Sequence, residues 1–359
     1  MKKSSLFNID WGLLAPVIVL VILSLTTLFS IDFALFRSQL IFFLIGIFVF
    51  LFFSQTNSRT LKFYALPLYI LSIIVLIVVL VIGVETRGSV RWLELFGLRV
   101  QFSEILKPFL AISLASYLSV KNNYSWKNFM LVLFYMLPIM FLVFLQPDLG
   151  NALIYASATV INLVVFGFPF RFFLVGLFFL TVLFPVFWRF LHTYQKQRVL
   201  TFLNPSDPLG LSYNAIQAVI AVGSGMLFGR GLGQGTQSGL RFLPERHTDF
   251  VFATLSEELG LIGAILLIAA FIFLFYRIFK LFQEQEELFG KLLCSIAFSL
   301  LFVQFFVNIG MNIGILPIVG IALPFVSYGG SSLLSSFILL GILSSMNKNN
   351  SSRKVLEIG

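Results

Sequence analysis

Charge is what this sequence has least of. Only 11% of its 359 residues are charged while 59% are hydrophobic, and the mean hydropathy is +1.00. A soluble chain of this length needs far more charged surface, so a water-soluble globular fold is excluded. Cysteine is scarcer still. Cys294 stands alone in an apolar run, which excludes an intrachain disulfide and a cysteine metal centre. Two histidines, His192 and His247, are too few to suggest a zinc centre. Acidic residues number 15 against 24 basic ones, a formal charge of +9. The positives are spread over many short segments, which speaks for membrane orientation and against nucleic-acid binding. Long stretches of alternating apolar and polar residues are also lacking, and 68–84 is almost continuously apolar, so a transmembrane β-barrel is excluded.

What remains is a chain of apolar runs rich in phenylalanine, of which there are 45. Runs of spanning length fall at 11–31, 38–53, 63–84, 103–119, 129–146, 150–167, 171–190, 251–276, 291–314 and 322–346. The expected fold is an all-α polytopic membrane protein, a bundle of about ten transmembrane helices forming one domain over 1–359. The first run is long and lacks a small-residue cleavage site, so it reads as a span and not a cleaved signal. Lys2, Lys3, Arg59, Lys62, Lys121, Lys127, Arg171, Arg277, Lys280, Lys291, Lys348, Arg353 and Lys354 lie at one set of ends. The positive-inside rule places those ends, both termini and a short polar tail at 347–359 in the cytoplasm. The other side holds 85–102, the 146–151 turn, a large extracytoplasmic loop at 191–250 between helices 7 and 8, and 315–321. External Arg87, Arg91, Arg99, Lys196, Arg198, Arg230, Arg241 and Arg246 are not needed for topology and point to an anionic partner. Within the large loop, 213–228 is apolar but too short to span, and GRGLGQG (229–235) follows it. An interfacial or re-entrant helix ahead of a mobile glycine loop is expected there.

Four polar groups interrupt the apolar background. GSVRW (88–92) precedes QFSEILK (101–107), which puts Glu104 and Lys107 three apart on one helix face. They form either a local ion pair at the helix start or, with Arg91, a set of phosphate clamps in which Glu104 holds the lysine. QPDLG (146–150) places Asp148 where a helix N-cap belongs. PERHTDF (244–250) sets Glu245, His247 and Asp249 immediately outside the eighth run, as a capped helix start or as chemistry. Glu257 and Glu258, deeper in that run, require a cavity or a partner. Gln304, Asn308 and Asn312 follow at steps of four, in line on one helix face, for interhelical hydrogen bonding or for substrate. PFVSYGGSS (324–332) then presents Ser327 ahead of two glycines that permit close helix approach. Nearly all of these groups lie on the external side.

Taken in order, these stretches resemble the SEDS family, the shape, elongation, division and sporulation proteins of bacteria. GSVRW, SEILKP (103–108), QPDLG, YQKQRV (194–199), FLNPSDPLG (202–210), GSGMLFGRGLGQG (223–235), FLPERHTDFVFATLSEELG (242–260) and LPFVSYGGSS (323–332) carry the resemblance. The pattern is closer to the RodA branch than to the FtsW branch. QFSE stands where the family more often has QPSE, which removes a helix-start proline and no reactive group. The resemblance implies a peptidoglycan glycosyltransferase of the bacterial cytoplasmic membrane, active in cell elongation, that polymerises lipid II on the outer face beside a class B penicillin-binding protein. It also implies Asp249 as the essential acid and implicates Arg91, Glu104 and Lys107. With these, Lys196, Arg198, Glu245, His247, Gln304, Asn308 and Ser327 are the candidates for substrate contact.

That chemistry suits this inventory. A lipid diphosphate leaving group already carries its charge, so one general base for the acceptor hydroxyl is enough, with cations to hold the diphosphate. Direct displacement inverts the anomeric centre. An ordinary aspartate is ionised at neutral pH, as a base must be. The residues demand no cofactor or metal, although a divalent cation could assist the diphosphate. Two rivals from other classes are a lipid II flippase, which should show polar groups through the membrane depth, and a scaffold recruiting a transpeptidase, which has no need of Asp249. For the topology, a reporter fused after Lys348 is expected in the cytoplasm and one inserted at Gly235 outside. A reversed result at either position overturns the orientation.

Overall fold

Side-chain caps mark the starts of the first three helices. In the computed structural model, which describes residues 9–86, 89–95, 97–121, 123–191, 193–203, 212–240 and 242–356, the chain opens with α1 (Trp11–Ile31), α2 (Phe33–Phe53) and α3 (Ser58–Ile82). Asp10, Asp32 and Asn57 cap these helices by accepting from Gly12, Ala34 and Thr60 N–H at 3.0, 2.7 and 2.8 Å. Then come β1 (Val84–Thr86), β2 (Ser89–Leu95) and β3 (Leu98–Gln101), followed by α4 (Phe102–Ile105), α5 (Lys107–Ser119), α6 (Trp126–Leu145), α7 (Leu149–Phe166) and α8 (Phe170–Phe190). The 191–250 segment carries α9 (Thr193–Leu203), α10 (Tyr213–Ser224) and α11 (Thr236–Gly239). The long helices α12 (Val251–Glu284), α13 (Leu288–Asn312) and α14 (Gly330–Leu356) complete the bundle. Arg87, Gly88, His192, Arg241 and most of FLNPSDPLG lie outside the described residues.

Nine helices among the described residues are long and apolar enough to cross a membrane. The fourth expected run is divided instead into α4 and α5. Pro108, in the first turn of α5, has no N–H to donate to the Glu104 carbonyl one turn earlier, so the regular ladder is interrupted there. A small antiparallel three-stranded sheet of β1, β2 and β3 is added to the helical bundle. Its β-branched and aromatic residues (Val90, Trp92, Val100) favour strands, and Gly97 takes the positive φ of +78° at the turn between β2 and β3. The last span also begins later than expected, at Gly330 and not 322. Pro324 and the positive φ of Phe325 keep 321–329 out of helix.

The buried core runs through α13, which packs on α12, α7 and α5, while α14 packs on α2 and α1 lies against α12 and α2. In contrast α8 is apolar all round and exposed, with only Phe172 buried. A surface of that kind suits lipid, not a protein neighbour.

The glycine-rich run meets α12 at a break. Gly260 has φ +67° and ψ −162°, which stops the helical ladder midway along α12. Gly225, Gly229 and Gly260 let the backbones touch: a Cβ on Gly260 would stand 2.2 Å from Gly229 N. The groups orphaned by the break are paired across this contact. Arg230 and Gly231 N–H donate to the Glu257 and Glu258 carbonyls at 2.9 and 3.1 Å, and Leu261 and Ile262 N–H donate to Met226 and Leu227 at 2.8 and 3.3 Å. The loop expected to be mobile is therefore pinned to α12, behind the expected short helix α10. Gly260→Ala is expected to lower stability by at least about 1–3 kcal/mol, the cost of a strained backbone position. Gly176→Ala, with nothing within 4 Å of the added carbon, is expected to be neutral or better. Equal melting temperatures of the two variants in detergent would refute the account of the break.

Candidate active site

The PERHTDF stretch is held as a rigid turn directly ahead of α12. Glu245 takes φ +53°, and its carbonyl accepts from Thr248 and Phe250 N–H at 3.1 and 3.2 Å. The next four carbonyls are each gripped by another residue. Arg246 O accepts from Thr254 Oγ1 at 3.1 Å, His247 O from Tyr328 N–H at 2.8 Å, and Thr248 O from Ser327 Oγ at 2.7 Å. Asp249 O accepts from the side-chain amides of both Asn308 and Asn312, at 3.1 and 3.0 Å. Ser327 Oγ also accepts from Leu323 N–H at 2.8 Å, and Asn308 also donates to Ile321 O at 2.7 Å. The 321–329 segment and α13 thus clamp the turn from two sides.

The half-buried Asp249 carboxylate faces Gly320. A Cβ built on Gly320, whose φ is +76°, would lie 3.2 Å from Asp249 Oδ2 and 3.6 Å from Arg198 Nη1. The carboxylate and a guanidinium from α9 therefore both lie against the same glycine, where a side chain would crowd them. Lys196 on α9 donates to Arg189 O at 3.3 Å. The rings of His247 and Tyr328 lie 5.7 Å apart beside the turn, and Glu245 Oε2 accepts from Thr248 Oγ1 at 3.2 Å.

A second polar centre lies under the sheet. Asp148 caps α7 through Asn151 N–H at 3.2 Å and accepts from Gln101 Nε2 at 2.7 Å, Ser103 Oγ at 2.9 Å and Asn151 Nδ2 at 2.9 Å. Tyr155 OH donates to Ser103 O at 2.6 Å. Lys107 and Glu104 form an ion pair at 2.7 Å and are only 3% and 7% exposed. Arg91, half-buried on β2, has a buried Nε with no hydrogen-bond partner. The two centres adjoin: a Cβ on Gly150, in the first turn of α7, would lie 3.6 Å from Gly320 O and 2.9 Å from Ile321. Among the described residues no group of three or more His, Cys, Asp or Glu is placed to hold a metal ion.

The FtsW/RodA/SpoVE profile, described as cell cycle proteins, matches residues 4–352. The chain belongs to this family. Peptidoglycan glycosyltransferase MrdB of Escherichia coli is 41% identical over 321 residues, covering 87% of this chain and 84% of that one. A probable peptidoglycan glycosyltransferase FtsW of Alcanivorax borkumensis is 37% identical over 307 residues, with 83% and 79% covered. Among solved structures, the rod shape determining protein RodA of Thermus thermophilus superposes with TM-score 0.72 at 30% identity, covering 95% of this chain and 97% of its own. A chain from a peptidoglycan synthase complex that coordinates polymerization and crosslinking reaches TM-score 0.83 at 32% identity, with 95% and 98% covered.

Against the expectations for a family member, the structure sorts the candidate residues. Asp249 and Arg198 come together at Gly320. Asn308 and Ser327 are buried, and their side chains are committed to backbone, so they hold the Asp249 turn instead of offering a surface to substrate. Gln304 is likewise buried, and its Nε2 has no hydrogen-bond partner. Lys107, expected as a diphosphate clamp, is locked in a dry ion pair with Glu104. Glu257 and Glu258 have partners, not a cavity. Glu257 accepts from Gln237 and Ser238 N–H, both at 2.8 Å, and Glu258 accepts from Ser30 Oγ at 2.7 Å and Gly233 N–H at 3.1 Å. Gly320 and the pairing of Asn312 were missed. The regular stripe on α13 was the only signal for the latter.

Removing one partner of a buried ion pair leaves an uncompensated charge. Lys107→Met is therefore expected to cost about 3–5 kcal/mol, most of it regained in the double variant Glu104→Gln/Lys107→Met. Thermal melts of the three proteins check this. Turnover that returns with stability in the double variant marks the pair as scaffold, and turnover that stays low gives Lys107 a further role.

Proposed function

We infer that this chain is a peptidoglycan glycosyltransferase that polymerises lipid II, with Asp249 as general base. The observation that carries the reading is the half-buried Asp249 carboxylate set against Gly320 together with the Arg198 guanidinium, on a turn whose carbonyls are locked from two sides. The activity named for the MrdB and FtsW relatives supports it. In this mechanism Asp249 takes the proton from the acceptor sugar hydroxyl as that oxygen attacks the anomeric carbon of the donor. The diphosphate leaves with the bonding electrons and the configuration inverts. External cations, Arg198 first among them, stabilise the departing charge, and guanidinium geometry suits paired phosphate oxygens. A divalent cation on the diphosphate is compatible with this arrangement. The exposure of α8 supports a lipid-lined approach for the polyprenyl tail, which stays in the bilayer while the head group reaches Gly320.

The reading places both termini in the cytoplasm, the active face outside and a class B penicillin-binding protein alongside. The similarity to a chain of a peptidoglycan synthase complex supports that partner. A flippase is disfavoured by the side chains that line α7. Asp148, Asn151, Tyr155, Thr159 and Asn162 run down its buried face, but below Asp148 they are uncharged and bonded within the bundle, as Asn162 is to Ser299 Oγ at 3.1 Å. Such groups join helices and do not conduct.

Asp249→Asn keeps the shape and removes the basicity. Glycan polymerisation from lipid II is expected to fall about 100-fold or more, with membrane insertion and lipid II binding retained. A mere helix cap would tolerate the change, because Asn caps as well as Asp. Near-normal polymer from this variant would sink the assignment.

A further inference from the structure

The Asn312 carboxamide does two things at once. Its Nδ2 donates to Asp249 O at 3.0 Å, and its Oδ1 accepts from Ala253 N–H at 3.1 Å. Residues 249 and 253 are four apart, so these are the two groups that would pair with each other if α12 began one residue earlier. The helix in fact begins at Val251, and its first regular bond runs from Thr254 N–H to Phe250 O at 3.0 Å. Phe250, at the cap position, has no side chain able to satisfy the helix start. An amide from the end of a different helix, α13, fills that role.

We propose that Asn312 is a positioning residue for the reaction: by inserting its amide between Asp249 O and Ala253 N–H it stops α12 just short of Asp249 and aims the carboxylate at Gly320. This rests on Asp249 acting as the base. Without the amide, Asp249 O and Ala253 N–H are free to close on each other and the helix to take in Phe250 with Asp249 as its cap residue, turning the carboxylate with it. Asn308 reinforces the grip on the same carbonyl, with Nδ2 3.1 Å from Asp249 O. It makes no bridge to Ala253, so the helix stop belongs to Asn312. Asn312 is itself fully buried and is excluded from touching substrate.

The test uses the full-length protein in lipid nanodiscs with lipid II as substrate. Asn312→Ala is expected to lower kcat about 10- to 100-fold, the scale of a base displaced by an ångström, with KM for lipid II within about twofold of the wild type. Asn312→Asp keeps the size and the acceptor for Ala253 but removes the donor. It is expected to give the same split, and it replaces the alanine variant should that one not fold. Asn162→Ala removes a buried interhelical amide of the same kind away from the site and is expected to leave kcat unchanged. Asn308→Ala leaves the bridge intact and is expected to lose less than Asn312→Ala. Wild-type kcat in a folded Asn312 variant, a loss in KM alone, an equal loss in Asn162→Ala, or an equal loss in Asn308→Ala overturns the helix stop. Asp249→Asn run alongside separates the two claims. If that variant is active the base reading fails and the positioning role falls with it, whereas if only the Asn312 variants are active the base reading stands alone.

Discussion

Inside hydrocarbon every backbone N–H and C=O needs a partner from the protein, because no water is there to supply one. Among the described residues, the departures from regular helix at 225–235, 242–250, Gly260 and 313–329 lie together. Each supplies what another lacks. The glycine-rich stretch completes the broken ladder of α12, and 321–329 together with the end of α13 takes the carbonyls of the turn before α12. A loop built in this way is as fixed as a helix. The carboxylate proposed for catalysis can therefore sit on non-helical backbone without losing its aim.

The same obligation separates the acidic residues by role. Glu257 and Glu258 are buried on α12, and both accept hydrogen bonds from backbone N–H groups of the 233–238 stretch, which holds that stretch against α12. Asp148 takes a helix start and three side chains, and Glu104 takes Lys107. Each of these carboxylates is consumed in joining segments distant in sequence. At Asp249 the neighbours Asn308 and Asn312 hold the backbone carbonyl, and the side chain lies against Gly320 together with Arg198.

Spans, external polar clusters and the family motifs were legible because each is a local property. Twenty apolar residues favour the bilayer whatever their neighbours, and Asp148 after a proline caps its helix through its own next turn. The departures from that reading are also physical. The sheet of β1, β2 and β3 sits in a segment too short and polar to register beside long hydrophobic runs. The splitting of the fourth run turned on the missing N–H of Pro108, and the late start of α14 on the positive φ of Phe325.

By itself the sequence determined a many-span helical membrane protein with its chemistry-bearing residues gathered at one end, because hydrophobic partition and short-range capping are summed along the chain. Only the tertiary structure decided which of those residues work on the backbone and which pair with other side chains. Lys107 could not be assigned to an ion pair, Asn308 and Ser327 to a clamp, or Asn312 to the start of a helix sixty residues away, until the segments were packed. The reason is that a hydrogen bond depends on which donor meets which acceptor, and in this fold those partners are brought together from distant parts of the chain.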